Sequence, residues 1–300
     1  MVSPNDGLRL PPPWISPAAG MPDREVRPVI IVQRRRLLYP AYVQDYLDRV
    51  TAADVAAGNT SGLEVGVTDG ANTFIQDLVS DTYLGVSGGV ISQAASVIKA
   101  SVPMAGARTR LGAMTPLVGP APTSFNFVNG DYNRKTGLVG DGNAKYLDSN
   151  RNNNADPQNS KHIAAFITAT AGSGATSVMG TNTVASGGSW VSRTSDNTTS
   201  SQRANSAASY FYTNAFPISS KLLGVSRSAS AAQSHIAAGG VQSSTLVSAA
   251  PINENILVFR ALGLFCPFRL PFYSIGESLD LAILDARVTA LINAYAAAIP

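Results

Sequence analysis

Charge is scarce in this sequence. Asp, Glu, Lys and Arg make up 14% of its 300 residues, against roughly a quarter in an ordinary soluble domain. Ala, Ser, Gly, Asn and Thr take the place of the missing charge, a mixture expected of rigid extracellular or virion surfaces. Disorder does not follow, because 45% of the residues are apolar and recur in short patterned runs. Cysteine is nearly absent. Cys266 stands alone, so an intrachain disulfide is excluded, and its setting in Leu264-Phe265-Cys266-Pro267-Phe268 predicts a small buried core residue. Such cysteine usage fits folding in a reducing cytoplasm. Only His162 and His235 are available to activate a nucleophile. Long hydrophobic runs are missing too. The most apolar stretch, residues 256–273, is interrupted by Arg260, Pro267, Arg269 and Pro271, so no membrane insertion is expected from it. The first 30 residues carry seven prolines and no apolar core of a secretory signal. An extracellular composition without an export signal points to a virion, assembled in a host cytoplasm and released by lysis.

The net charge of +3 is unevenly placed. Residues 1–36 hold Arg9, Arg24, Arg27, Arg34, Arg35 and Arg36 against Asp6, Asp23 and Glu25, which leaves 16 basic and 16 acidic residues in the rest. A neutral body has no clustered basic face for nucleic acid, and no nucleic-acid partner is expected.

Three segments follow from the patterning. In residues 1–40 the prolines preclude helix and favour extended backbone. Residues 26–33 (Val-Arg-Pro-Val-Ile-Ile-Val-Gln) are β-branched enough for a strand but have no nearby partner. This segment reads as an arm that docks on other virion proteins through Trp14, Val29, Ile30, Ile31, Arg34, Arg35 and Arg36. Residues 41–120 read as a small helical neck. Tyr42, Tyr46 and Val50 repeat at the helix period. A second helix carries Phe74, Ile75, Leu78 and Val79 behind a cap at Thr68 or Asp69. A third is predicted from Gly89 or Val90 to about Ala100, stopped by Pro103. Three prolines between Pro116 and Pro122 place a boundary there.

Residues 121–300 alternate short apolar runs with Gly, Asn and Ser clusters. Strands are expected at 145–147, 162–168, 177–179, 190–192, 208–212, 222–226, 235–238, 245–248, 256–262 and 272–275. The fold class is therefore mainly β: a C-terminal antiparallel β-sandwich, preceded by the helical module and the extended arm. Gly239-Gly240 predicts a hairpin turn. Ser278 or Asp280 caps a closing helix with Leu284, Val288, Leu291, Ile292 and Tyr295 inward. No repeat of 20–50 residues is visible, which disfavours a solenoid or propeller.

Two stretches carry a resemblance. One runs Phe127-Val128-Asn129-Gly130-Asp131-Tyr132-Asn133-Arg134-Lys135-Thr136-Gly137-Leu138 and continues as Gly140-Asp141-Gly142-Asn143-Ala144-Lys145-Tyr146-Leu147-Asp148. The other is Phe272-Tyr273-Ser274-Ile275-Gly276 with its following helix. In order and spacing they look like the opening and closing signatures of concanavalin A-like (laminin-G-like) lectin domains in phage, especially cyanophage, tail-fibre and virion proteins. The resemblance implies a jelly-roll sandwich that binds host surface glycan, in a homotrimer whose linked sites act together. Its implied role is a tail fibre or tail appendage, with a capsid decoration protein as the alternative.

That fold also houses glycoside hydrolases, which need two carboxylates about 5 Å apart for retaining chemistry. No two acids after residue 130 sit at i, i+2 or i, i+4 on a predicted strand, and neither histidine lies near a Gly-x-Ser-x-Gly elbow. A non-enzymatic protein without cofactor or metal is expected. The candidate carbohydrate-binding residues fall in two places. Asp148, Asn150, Asn152, Asn154 and Asp156 offer oxygens and amides suited to sugar hydroxyls, or else form a plain Asn-rich turn. Trp190, Tyr210 and Tyr212 can stack on a sugar ring, although each also suits the sandwich core.

Overall fold

A proline at position 40 pre-sets the backbone for helix entry, and the first helix begins directly after it. The computed structural model describes residues 39–300. The arm residues Trp14, Val29, Ile30, Ile31, Arg34, Arg35 and Arg36 lie outside the described residues. Helix α1 (Ala41–Ala56) buries Val43, Tyr46, Leu47 and Val50, while Tyr42 of the predicted stripe is half-buried. Helix α2 (Val65–Ser80) turns Val67, Ala71, Phe74, Ile75 and Leu78 inward. It starts after Glu64, a turn before the expected cap, and Thr68 bonds back to the Val65 carbonyl at 2.8 Å.

A hairpin of β1 (Gly85–Ser87) and β2 (Val90–Ser92) comes next, then β3 (Ile98–Pro103) and the short α3 (Arg110–Ala113). Then come β4 (Thr123–Phe125), β5 (Tyr132–Asn133), β6 (Gly137–Val139), β7 (Tyr146–Asn152), β8 (Lys161–Ile167) and β9 (Thr176–Gly180). β10 (Gly188–Arg193), β11 (Ser200–Ser206), β12 (Tyr210–Tyr212), β13 (Lys221–Ala229), β14 (Ala232–Ala237) and β15 (Gly240–Ser244) continue the chain. It closes with β16 (Asn255–Val258), β17 (Arg260–Ala261), β18 (Leu264–Phe265), β19 (Arg269–Leu270), β20 (Phe272–Gly276) and α4 (Leu281–Ala298).

Two antiparallel sheets face each other, as the sandwich reading required. One has the order β12-β11-β10-β9-β16-β7-β4 and the other β15-β14-β13-β8-β20-β3. Leu147, Met179, Val191 and Val258 from the first meet Ile163, Leu223, Val225 and Tyr273 from the second in one core. Alternation sends the neighbouring residues Phe166, Leu222, Ile236 and Phe272 to the opposite face of the six-stranded sheet. There they pack under α1, α2 and α4, and Phe74 meets Phe272 edge-to-face at 5.9 Å. Burying each of these phenylalanines contributes about 2 kcal/mol. The result is three layers: helices, six-stranded sheet, seven-stranded sheet.

Three expectations are corrected. The third helix does not form. Gly88 and Gly89, at φ 61° and 81°, reverse the chain into a hairpin, and Ile98–Pro103 enters the sheet opposite Phe272–Gly276. The boundary expected at 112–122 falls inside one compact unit, Tyr39–Pro300, because β3 and the helices share a sheet and a core with the C-terminal strands. Residues 245–248 follow β15 without joining a strand, although Ser248 makes a single bridge to Ser206.

The hairpin at 237–241 does form, with Ala238 and Gly239 at φ 50° and 82° as its turn pair. Asp280 caps α4, accepting from the Ala282 and Ile283 amides at 2.8 and 3.2 Å. By length and hydropathy α4 resembles a membrane span, but Leu281, Leu284, Val288, Leu291 and Tyr295 lie buried against the sheet layer.

Candidate functional site

The Asn-rich run of 148–156 is the end of β7 and the tight turn after it. Most of its polar groups hold the turn itself. Asp148 accepts from the Asn150 amide at 2.8 Å and from Asn255 Nδ2 at 3.1 Å. Asn150 stands at φ 54°, a conformation asparagine tolerates, and its Nδ2 donates to Ala121 O and Thr123 Oγ1. Asn152 caps the turn by accepting from the Asn154 amide at 3.0 Å, while its Nδ2 reaches Asn253 at 2.8 Å. Asn154 is exposed. Asp156 is buried, bonded to Arg151 and, at 3.2 Å, to Lys161 Nζ. Burial would raise the Asp156 carboxyl, but Lys161 and Arg151 more than offset that and hold it below its usual range.

Beside this turn lies a cleft of about 580 Å³. Gln93, Gly119 and Pro120 form one side, and Asn150, Arg151 and Asn152 the other. Gly119 is required here. At φ 82°, an added Cβ would lie 2.2 Å from the Lys99 carbonyl, so only glycine lets this loop lie against β3. Arg151 gives Nη2 to Asp156 and to Ala155 O, and its buried Nε has no partner. The sequence drew attention to the turn but not to Arg151, Gln93 or Gly119. Gln93 was masked by the helix reading of its segment, and no local pattern pairs it with residue 150.

The aromatic candidates lie elsewhere. Register aligns Arg203, Trp190, Gly180, Leu257 and Asp148 in one row across the seven-stranded sheet, with Trp190 and Asp148 three strands apart, about 14 Å. Trp190 is 4% exposed; the Arg203 guanidinium covers its ring at 4.3 Å, and its Nε1 donates to Ser201. Gly180, at φ 146°, is needed beneath it, since an added Cβ would meet Trp190 Cα at 2.5 Å. Tyr212 is buried in the sandwich core. Tyr210 stacks on His235 at 4.2 Å and donates to Gln242. The structure therefore does not join these aromatics to the turn. Trp190 and Tyr212 are shielded by their own neighbours, and the exposed ring of β12 is Phe211.

Other reactive groups are tied into the fold. His162 bonds Ser274 Oγ and Glu277 O, and His235 bonds Ser244 Oγ. Burial pushes both histidines down to about 4. Burial also pushes the Cys266 thiol up to about 12, which leaves it unionised. Glu254 accepts from the amides of Asn182 and Thr183, and Asp131 pairs with Lys145. Among the described residues, no three His, Cys, Asp or Glu side chains come together as a metal site.

No family model matches this chain. No curated protein matches it either. Among solved structures, the botulinum neurotoxin serotype D binding domain is similar over 65% of this chain and 51% of its own, at 9% identity and TM-score 0.44. A botulinum neurotoxin type C structure, described as entering cells through interaction with two ganglioside molecules, is 12% identical over 51% of this chain and 42% of its own, TM-score 0.37. The NanB sialidase of Streptococcus pneumoniae is 10% identical over 44% of this chain and 24% of its own, TM-score 0.34. The chain thus spans about half the length, or less, of these structures.

Proposed function

We propose that this protein is a non-catalytic virion component, a tail fibre or tail appendage, whose sandwich binds host surface glycan. The observation that carries the reading is the cleft beside 148–156. A polar, glycine-shaped cavity, walled by a self-bonded turn on one side and by Gln93, Gly119 and Pro120 on the other, is pre-organised for hydrogen-bonding a saccharide. The non-enzymatic part is supported by the engagement of Asp148, Asp156, Glu254 and Asp280 in structural bonds. Assembly in the host cytoplasm, docking through residues 1–40 and a homotrimeric state belong to the same proposal.

Adsorption of the purified protein to host cells tests it. Binding is expected to saturate, to fall at least tenfold after periodate oxidation of the cell surface, and to weaken on Asn150→Ala. Binding that survives periodate unchanged overturns the glycan reading.

A further inference from the structure

We infer that the cleft selects saccharides bearing an anionic group, and that Arg151 is the residue that selects them. The inference rests on the glycan reading above and names the class of glycan. Its basis is a charge imbalance around Asp156, whose partner Arg151 lines the cleft. Lys161 and Arg227 face each other in register on β8 and β13, and both are fully buried. Adjacent like charges in a sheet repel. Lys161 donates to Asp156 and to Asn153 O. Arg227 donates only to carbonyls, those of Ala204, Ala229 and Ser230, and its Nη2 has no partner. Arg151 shares Asp156 with Lys161. Asp156 thus holds two cations, Arg151 and Lys161, and Arg227 stands beside Lys161 in the sheet bonded to carbonyls alone.

Arg151 is where this surplus reaches solvent. Its side chain is 15% exposed, while Asp156 and Lys161 are at 0%. Nη2 is occupied by Asp156 and Ala155 O and Nε is buried, so Nη1 is the group left for a ligand in the cleft that Arg151 lines. Of the acids nearby, Glu277 is matched by its own partner Lys99, while Asp148 keeps its charge and accepts from the neutral amides of Asn150 and Asn255. A carboxylate or sulfate on a sugar would accept from Arg151 in a partly desolvated setting, where charge-assisted bonds are strong. Exposed Asn150 lies alongside, its Nδ2 spent on Ala121 O and Thr123 Oγ1 and its Oδ1 placed to accept from a hydroxyl.

Calorimetry on the full chain, with trigalacturonate, galactotriose and sodium acetate as probes, tests this. Trigalacturonate is expected to bind at least tenfold more tightly than galactotriose at low salt, with the advantage shrinking in 1 M NaCl. Arg151→Met should abolish the advantage and Arg151→Lys should keep part of it, each variant checked for a native melting profile. Acetate should not compete at matched concentration. Equal binding of both trisaccharides, lost on Asn150→Ala, overturns the anion inference and leaves the glycan reading standing. Acetate competing as well as trigalacturonate also overturns it, by showing a bare anion site. Failure of both sugars to bind overturns the inference together with the glycan reading.

Discussion

Asp156 shows how one side chain can hold a loop end to a sheet. It lies under Arg151 and against Lys161, with no exposed surface of its own. Asp156→Asn removes the only carboxylate of the cluster and leaves two cations facing each other. A loss of about 3–5 kcal/mol is expected, the range for breaking a buried pair from one side. Urea unfolding measures it, and a loss below about 1 kcal/mol would show that the cluster is hydrated rather than paired. The two histidines give a second residue-scale expectation. Unfolded, they take up protons near pH 6.5; folded, they resist until about 4. The unfolded state therefore gains protons first as pH falls, so stability is full above pH 6.5 and declines from there to 4, by up to about 3 kcal/mol per histidine. A urea midpoint flat between pH 7 and 4 would contradict this. The sequence showed Cys266 for what it is and narrowed the α4 cap to Ser278 or Asp280, because burial in an apolar run and helix capping are local. Arg151, Asp156 and Lys161 lie within eleven residues of one another, but nothing local says that the turn at 153–155 folds them together.

At the scale of elements, periodicity located α1, α2, α4 and most sandwich strands. It failed at 89–100. Ile91, Ala94, Val97 and Ile98 are spaced as a helix face, yet Gly88 and Gly89 turn the chain and β3 finds its partner at Phe272–Gly276. A strand whose partner lies about 170 residues away leaves no signal in a window of a dozen. The same long-range pairing made the proline-rich stretch look like a domain boundary. Residues 121–300 alone would lose β3 from the sheet edge and would strip α1 and α2, with Phe74 over Phe272, from the six-stranded sheet, leaving α4 as its only cover. That fragment is expected to aggregate or to lack a cooperative melt, whereas residues 39–300 should fold. Calorimetry of the two fragments decides between this and the two-domain reading, which requires 121–300 to melt as a native unit.

For the whole molecule, the layered arrangement changes what the helical stripe can do. Tyr46 and Val50 are buried with Phe74 and Tyr295 in the helix–sheet core, so they are not free to pack against a second copy. A homotrimer must use another surface. Residues 39–300 form one compact unit. Removing residues 1–36 is expected to leave a protein with unchanged melting temperature that no longer joins particles; normal incorporation of the truncated chain would refute the docking role. The central claim, a binding head without chemistry, is tested most directly by one titration of purified host surface polysaccharide, with reducing ends counted in the same samples. The account predicts saturable binding, weakened by Arg151→Met, with no new reducing ends over many hours. Reducing ends that accumulate with wild-type protein and vanish on changing a single Asp or Glu would contradict it.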